Sequence, residues 1–479
     1  MLKFLTKILG KVFEYSANKY INFKHTFSTL WKEKVLLKKI LFTLLMLSIF
    51  VVAGTITIPG LRLVNANAID RNSFLGIINI VGGGGLLNFS IVALGIGPFI
   101  TASLIMLIAQ TKLVPPIHRL SQSGPHGRQK INIITRLLTF LIAAIQAIVL
   151  VRTVIGNQAL RFVALENDSS FYQYFIIPFI LVAGSLFALF LGEQITNKGV
   201  GNGTSLIIFS GIAVRLPSQF KVAFEYFVDS SNSSAIINDI VLYFSYLLGF
   251  FVLILIVVFV YLAERKIPIQ QTGSGMSKNI KEISTLPLKL NPAGIMPNIF
   301  SLIVVSLPSL FTGFLDPNTS ATRHWIQTHM QVNQPIGLTI FIVVNIIFAI
   351  VMGLQQSRVD KIAEDFAKNS TFIPGIRPGE QTEDYLIGVV FRLSIFSAFY
   401  LTILGVIQPV EQMLGMPQQI TFGGTSVIIL VSTAIETMSQ IKARYDAEKI
   451  IVKRKRIDKS STLASKTTKK LLNNKDLLW

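Results

Sequence analysis

Cysteine is absent from the 479 residues, so the chain holds no disulfide framework and no thiolate site. Charge is scarce too: 14% of residues are Asp, Glu, Lys or Arg, against roughly 25% in ordinary soluble proteins. The five histidines, His25, His118, His126, His324 and His329, show no H-E-x-x-H or other metal-ligand spacing. Glycines in "GVGNGTS", Gly199 to Ser205, have no preceding strand and no βαβ context, which argues against a nucleotide site. These shortages leave a chain read as no enzyme, with no metal and no cofactor.

What the sequence has instead is apolar length: 51% of residues are apolar and the mean hydropathy is +0.59. Runs long enough to span a bilayer, about 20 residues each, lie near 40–59, 89–109, 132–154, 172–192, 203–216, 237–262, 293–312, 336–354, 385–408 and 423–440. The fold class expected is an all-α polytopic membrane protein with ten transmembrane helices. The fifth run is short and flanked by glycine. With the amino terminus placed in the cytoplasm, 37 of the 44 basic residues fall on the cytoplasmic side. Seven remain outside: Arg62, Arg71, Arg152, Arg161, Arg215, Lys221 and Arg323. By the positive-inside rule both termini are cytoplasmic. The net charge of +20 is then the basic character of cytoplasmic loops drawn to an anionic leaflet, a better reading than nucleic-acid binding.

Residues 1–39 form a basic segment in which Lys3, Lys7 and Lys11 recur at every fourth position opposite Leu5, Ile8, Leu9 and Val12, suiting a helix on the membrane surface. A cleavable signal peptide is not expected, because the long apolar run begins only near residue 40 and no A-x-A-like site follows it. Two long loops on the cytoplasmic side, 264–291 and 356–384, are rich in Pro, Gly and charge; docking surface and solvated connector both fit. The tail, 441–479, is expected to be a largely disordered basic extension.

Glu193 and Glu436 sit near span ends, where reaching the interface explains them, and no convincing ionisable residue lies at mid-membrane. The spans are interrupted, however. Four consecutive glycines, Gly82 to Gly85, precede the second, and Gly95, Gly97 and Pro98 break it. Glycines at 199–203 open the fifth, and Pro292, Gly294 and Pro297 mark the start of the seventh. Broken helices are tolerated where they line a cavity or pack on protein; plain kinks are the alternative. Ten spans divide into two sets of five with opposite topology, the inverted-repeat geometry of many channels and transporters. A secondary transporter of a small solute is the competing function, and the lack of mid-membrane ionisable groups counts against it.

The segments "TIPG" (57–60), "ALGIGPFITAS" (93–103), "LGEQIT" (191–196), "GVGNGTSLIIFSGI" (199–212), "ERKIPIQ" (264–270), "LPLKLNPAGIMPNIF" (286–300), "GIRPGEQT" (375–382) and "FGGTS" (422–426) resemble, in order, those of the SecY protein-translocation channel family. The resemblance implies two inverted five-helix halves, 40–216 and 237–440, joined by an external connection at 217–236, around an hourglass pore. It implies a plug at about 74–88, containing Gly82, Gly83, Gly84 and Gly85, which the glycines make mobile. A pore ring carries over onto Ile96, Ile100, Ile208, Ile299 and Ile429, with Thr204 at a position commonly aliphatic. An aliphatic collar fits around any passing sequence and blocks ions by dewetting. Thr101, Ser103 and Asn298 are lateral-gate candidates, although small residues serve helix packing equally well.

For the loops the resemblance implies docking of the SecA motor ATPase or the ribosome through Arg265, Lys266 and Arg377, arginine suiting carboxylate or RNA phosphate. Further implied partners are SecE, often SecG, signal sequences and precursor or nascent polypeptides; anionic lipids follow from the charge. The implied function is secretion of unfolded polypeptides across, and lateral insertion of helices into, a bacterial cytoplasmic membrane. The charge split predicts that topology reporters fused after Asp168 and Asp316 lie outside and those after Ser277 and Asn369 inside; a reporter at Ser277 found outside sinks the ten-span map.

Overall fold

The computed structural model describes residues 34–63, 82–110, 114–155, 163–165, 170–228, 236–271, 284–312, 321–417, 420–421 and 423–447. The surface helix expected within residues 1–15, the part of the plug before residue 82 and the tail after residue 447 lie outside these. Thirteen α-helices follow one another among the described residues: α1 (Lys34–Ala53), α2 (Gly97–Ala109), α3 (Pro115–Gln122), α4 (Gly124–Ile155), α5 (Ile177–Lys198), α6 (Gly203–Phe227), α7 (Ile236–Leu262), α8 (Met296–Phe311), α9 (Ala321–His329), α10 (Pro335–Ser357), α11 (Val359–Lys368), α12 (Glu380–Met413) and α13 (Gly424–Ala447). Among the described residues, α1, α4, α5, α6, α7, α10, α12 and α13 are long and apolar enough to cross a membrane, and α2 and α8 are shorter apolar helices. All ten predicted spans are therefore helical.

Two of them differ instructively from the sequence reading. The second span, read as 89–109, is helical only from Gly97, where Pro98 occupies the first turn; it needs no backbone donor there and its φ suits the helix. Thirteen residues rise about 20 Å, short of the roughly 30 Å hydrocarbon core. The fifth, read as 203–216, continues through Pro217 to Phe227, so α6 carries helix into the 217–236 connection.

Contacts divide the chain into two units. The smaller comprises residues 1–46, 194–203 and 434–479. In its described part Leu36 and Val200 form an apolar cluster joined by Ile40, Ile441 and Tyr445. The Val200 amide donates to the Thr43 hydroxyl at 2.9 Å, and Arg444 donates to the Gly199 carbonyl at 2.6 Å.

The larger unit holds residues 47–193 and 204–433. One core joins Ile58, Leu86, Phe89 and Leu94 to α4 and α5 through Ala147, Leu150, Ile177 and Leu181. Helices α8, α10 and α12 pack on one another, and α2 packs on α4 and α8. By contrast α7 buries only Tyr246, Leu253, Val257 and Val260 and exposes Leu248, Phe251, Leu255, Ile256 and Phe259. An apolar surface of that extent is one for lipid, not water. The Arg136 guanidinium meets the Glu193 carboxylate at 2.8 Å, so Glu193 has a partner on α4.

Candidate functional site

The helices α2 and α8 are the second of the first five apolar helices and the second of the last five, and both begin after irregular backbone. Such backbone at membrane depth must find its hydrogen bonds inside the protein. Ahead of α2, the amide of Ile58 donates to the Phe89 carbonyl and that of Ile91 to Ile56. Amides of Ser90, Ala93, Gly95 and Gly97 donate back to Gly85, Ser90, Val92 and Leu94. The Ser185 hydroxyl closes the set on the Gly95 carbonyl at 2.9 Å. Ahead of α8, Asn291 does similar work with its side chain, accepting from the Gly294 amide at 3.1 Å and donating to the Gly294 carbonyl at 3.0 Å. Ser397 of α12 donates to Asn291 Oδ1 at 2.5 Å, and Gln356 of α10 donates to the Ala293 carbonyl at 3.3 Å.

The residues expected to form a ring stand near helix starts. Ile96 is the N-cap of α2, Ile100 lies four residues on, Ile299 is in the first turn of α8, and Ile208 and Ile429 lie five residues into α6 and α13. All five side chains are buried, and Thr204 is half-buried. Contact between α2 and α8 places the elements bearing Ile96, Ile100 and Ile299 side by side.

The glycine tract packs against α1, α6 and the irregular backbone ahead of α2. A Cβ on Gly83 would lie 2.9 Å from the Phe50 ring of α1 and 3.3 Å from the Ile207 carbonyl of α6. One on Gly95 would lie 1.6 Å from the Gly82 carbonyl, and one on Gly211 of α6 would lie 2.0 Å from the Gly83 carbonyl. Gly83 and Gly84 also have φ of +86° and +95°, open to glycine and poorly tolerated by other residues. Close backbone packing is thus a use of these glycines that composition does not display. The Arg215 guanidinium of α6, placed among external charges by the sequence, donates to the Gly84 carbonyl.

Of the gate candidates, Thr101 turns its hydroxyl onto the Gly97 carbonyl of its own helix at 3.1 Å, and Ser103 is half-buried. Asn298 is buried and donates to the Leu401 carbonyl of α12 at 3.2 Å. Beside it lies a cluster that the sequence reading did not single out. Ser301 of α8 reaches Asn345 Oδ1 of α10 at 3.3 Å, and Asn345 donates to the Thr402 hydroxyl of α12 at 3.2 Å. A lone asparagine within "IVVNIIF" was the available signal, since a polar side chain in a span demands a partner.

The described parts of the two long loops form one body. Apart from the short antiparallel pair β1 (Leu61–Leu63) and β2 (Val163–Leu165), strand β3 (Glu264–Pro268) pairs antiparallel with β5 (Thr285–Lys289), and β4 (Gln270–Gln271) pairs with β6 (Thr371–Phe372), joining the first loop to the second. Their apolar faces share a core: Ile267 and Leu288 meet Val359, Ile373, Leu386 and Val389. That favours a folded platform over a solvated connector. Arg265 and Lys266 on β3 and Arg377 in the turn before α12 are exposed, the Arg377 carbonyl accepting from the Thr382 hydroxyl at 2.8 Å.

Comparison with known proteins bears on these features together. The SecY family profile matches residues 90–438. The protein translocase subunit SecY of Mycoplasma capricolum is 38% identical over 453 residues, covering 92% of this chain and 93% of that one. The chain belongs to the SecY family. The Bacillus subtilis subunit of the same name is 35% identical, covering 88% of this chain and 96% of its own. Among solved structures, one described as "The structure of a protein conducting channel" aligns with a TM-score of 0.59 at 18% identity, covering 86% of this chain and 93% of that one. Sec61 from a canine ribosome-channel complex aligns at 0.54 and 17%, with the same coverages. The fold is the ten-helix fold of the family, and a SecY-family chain is a multi-pass protein of the bacterial cytoplasmic membrane, not an enzyme.

The cluster on α8, α10 and α12 yields a stability expectation. Asn345→Leu removes the partner of both Ser301 and Thr402 and is expected to cost about 1–2 kcal/mol, the range for interhelical hydrogen bonds in model membrane peptides. Detergent-purified protein should show a lower thermal midpoint; an unchanged one would mean that the cluster holds nothing.

Proposed function

We propose that the chain is the protein-conducting subunit of a bacterial translocase, passing unfolded polypeptides across the membrane and helices sideways into it. The observation that carries this is the matched pair of short, broken helices, α2 and α8, at corresponding places in the two sets of five, with buried isoleucines at their starts, in a chain of the SecY family. Gly/Pro-interrupted segments so placed are the best pointer to a transport path in repeated membrane folds. The solute-transporter alternative finds no support in the family assignment.

In this reading Ile96, Ile100, Ile208, Ile299 and Ile429, with Thr204, form the constriction, and the plug at about 74–88, of which Gly82–Asn88 is described, seals it. Thr101, Ser103 and Asn298 lie along the sideways exit. Both termini are cytoplasmic, and so is the platform of β3 to β6. Arg265, Lys266 and Arg377 on that platform engage SecA or the ribosome. The chain holds no nucleotide motif, so the driving energy comes from such a partner. SecE clamps the two halves, SecG accompanies them, and anionic lipids meet the basic cytoplasmic side. The defining experiment is translocation of a secretory precursor into vesicles holding this chain, SecE and SecA with ATP; solute uptake without it would overturn the reading.

Two variants separate the driving step from the seal. Arg377→Glu reverses an exposed charge without touching the core, so the protein should insert and bind SecE normally while precursor-stimulated ATP turnover and export fall sharply; normal export removes Arg377 from docking. Ile299→Asn puts a donor and an acceptor at the constriction, lets water wet it, and should give a resting ion conductance together with export of precursors bearing defective signal sequences. Ile256→Asn on the exposed face of α7 is the control, expected to impair insertion without a leak. Ile299→Asn channels as ion-tight as the parent in planar bilayers would show the ring position to be wrong.

A further inference from the structure

One face of α6 is fitted to the glycine tract over two turns. Ile207, Gly211 and Arg215 recur at intervals of four and so lie above one another on the helix surface. The Ile207 carbonyl approaches Gly83, and Gly211, lacking a side chain, lets the Gly83 carbonyl sit where a Cβ would otherwise be. One turn further on, the half-buried Arg215 donates from Nη2 to the Gly84 carbonyl. A Cβ on Gly84 would lie 3.0 Å from this guanidinium and would have to be carried at a φ of +95°, so glycine suits the position. Nothing but backbone is offered at 82–85, and a long cationic donor is well suited to hold a backbone carbonyl.

We propose that Arg215 is a positioning residue that latches the Gly82–Asn88 turn in its seat and so sets how readily the channel opens. The proposal rests on the reading above that this turn belongs to the seal. Gly84 and Arg215 both line a cavity of about 70 Å³ whose other walls include Gln219, Gln408, Thr421 and Ser426. That polar wall matters to the chemistry of release. When the turn leaves, the guanidinium still shares its cavity with the amide and hydroxyl side chains of Gln219, Gln408, Thr421 and Ser426, which lessens the cost of an unpaired charge. The latch is therefore reversible, and its bond to the turn is a charge-assisted hydrogen bond. Arg215 lies seven residues from Ile208, about 10 Å along the helix, so changing it leaves the ring side chains as they are.

The test uses the full chain in planar bilayers. Arg215→Met keeps the length and removes every donor; loss of one hydrogen bond to a charged group should raise resting conductance about tenfold and relax signal-sequence stringency. Arg215→Lys, with a compact ammonium, should fall between this and the parent. Lys221→Met, which removes an exposed charge from the same helix, should match the parent. A second arm displaces the turn directly: Gly83→Val collides with Phe50 at a backbone conformation valine avoids, and should leak. Combined with Gly83→Val, Arg215→Met should add little further conductance, because the latch has nothing left to hold.

If Gly83→Val leaks while Arg215→Met and Arg215→Lys stay tight, the latch is wrong and the seal reading stands. If Gly83→Val itself is tight, the turn is no part of the seal and the latch falls with it. A leak from Arg215→Met that adds in full to that of Gly83→Val, or that Lys221→Met reproduces, assigns the effect to general damage and overturns the proposal. Should Arg215→Met fail to insert, Arg215→Lys decides: parent-level conductance rejects the latch.

Discussion

Peptide groups at membrane depth must find partners within the protein, because hydrocarbon offers none. Eight of the ten apolar helices meet this by being continuous; α2 and α8 do not, and much of what is distinctive here surrounds their first residues. Before α2 the solution is backbone: a series of turns from Ser90 to Gly97, tied to Ile56 and Ile58 and finished by Ser185. Before α8 it is side chain: Asn291 folds onto Gly294 and is held by Ser397, with Gln356 on Ala293. Corresponding places in the two sets of five thus reach the same end by different chemistry. Irregular backbone whose peptide groups bond within the protein can remain at membrane depth, and such bonding precedes both helices.

The two solutions also give the halves different character. Around α2 the fit is one of close approach, with Gly82, Gly83, Gly95 and Gly211 allowing backbones to touch. Such packing depends on the absence of side chains and is held by few directional bonds. Around α8 the fit is a set of directional bonds from Asn291, Asn298, Ser301, Asn345, Ser397 and Thr402, crossing three helices. Bonds of that kind are worth little singly in a membrane, on the order of 1 kcal/mol, but they fix register. Helices α8, α10 and α12 are therefore set to move together.

The number and order of the apolar helices were legible in the sequence because hydropathy and length decide them locally. The end of α6 was not, since Pro217 reads as a stop while a helix can carry one proline where its surroundings satisfy the freed carbonyl. The start of α2 was misjudged by eight residues because buried irregular backbone is as apolar as a span. The expected ring and loop residues came from motif likeness, not from periodicity, and Asn345 and Arg215 were passed over. Their chemistry depends on partners 44 to 131 positions away, Ser301 and Gly84, which no local pattern displays.

Platform and broken helix are also joined. Strand β5 ends at Lys289 and α8 begins at Met296, and the residues between are engaged: the Leu290 amide donates to Ala263, Asn291 is held by Ser397, and Ala293 by Gln356. Lys289 itself lies over the Tyr261 ring at 5.0 Å from its centroid, near the end of α7. Through its apolar core the platform is continuous with α11 and α12, and Gly353 of α10 lies so close to Ser394 of α12 that a Cβ would come within 2.2 Å of its hydroxyl. A push on β3 or β5 has no slack loop in which to dissipate before it reaches α8. The same connection holds β5 in place when α8, α10 and α12 are at rest, so that β5 and the start of α8 bear on one another through packed structure alone.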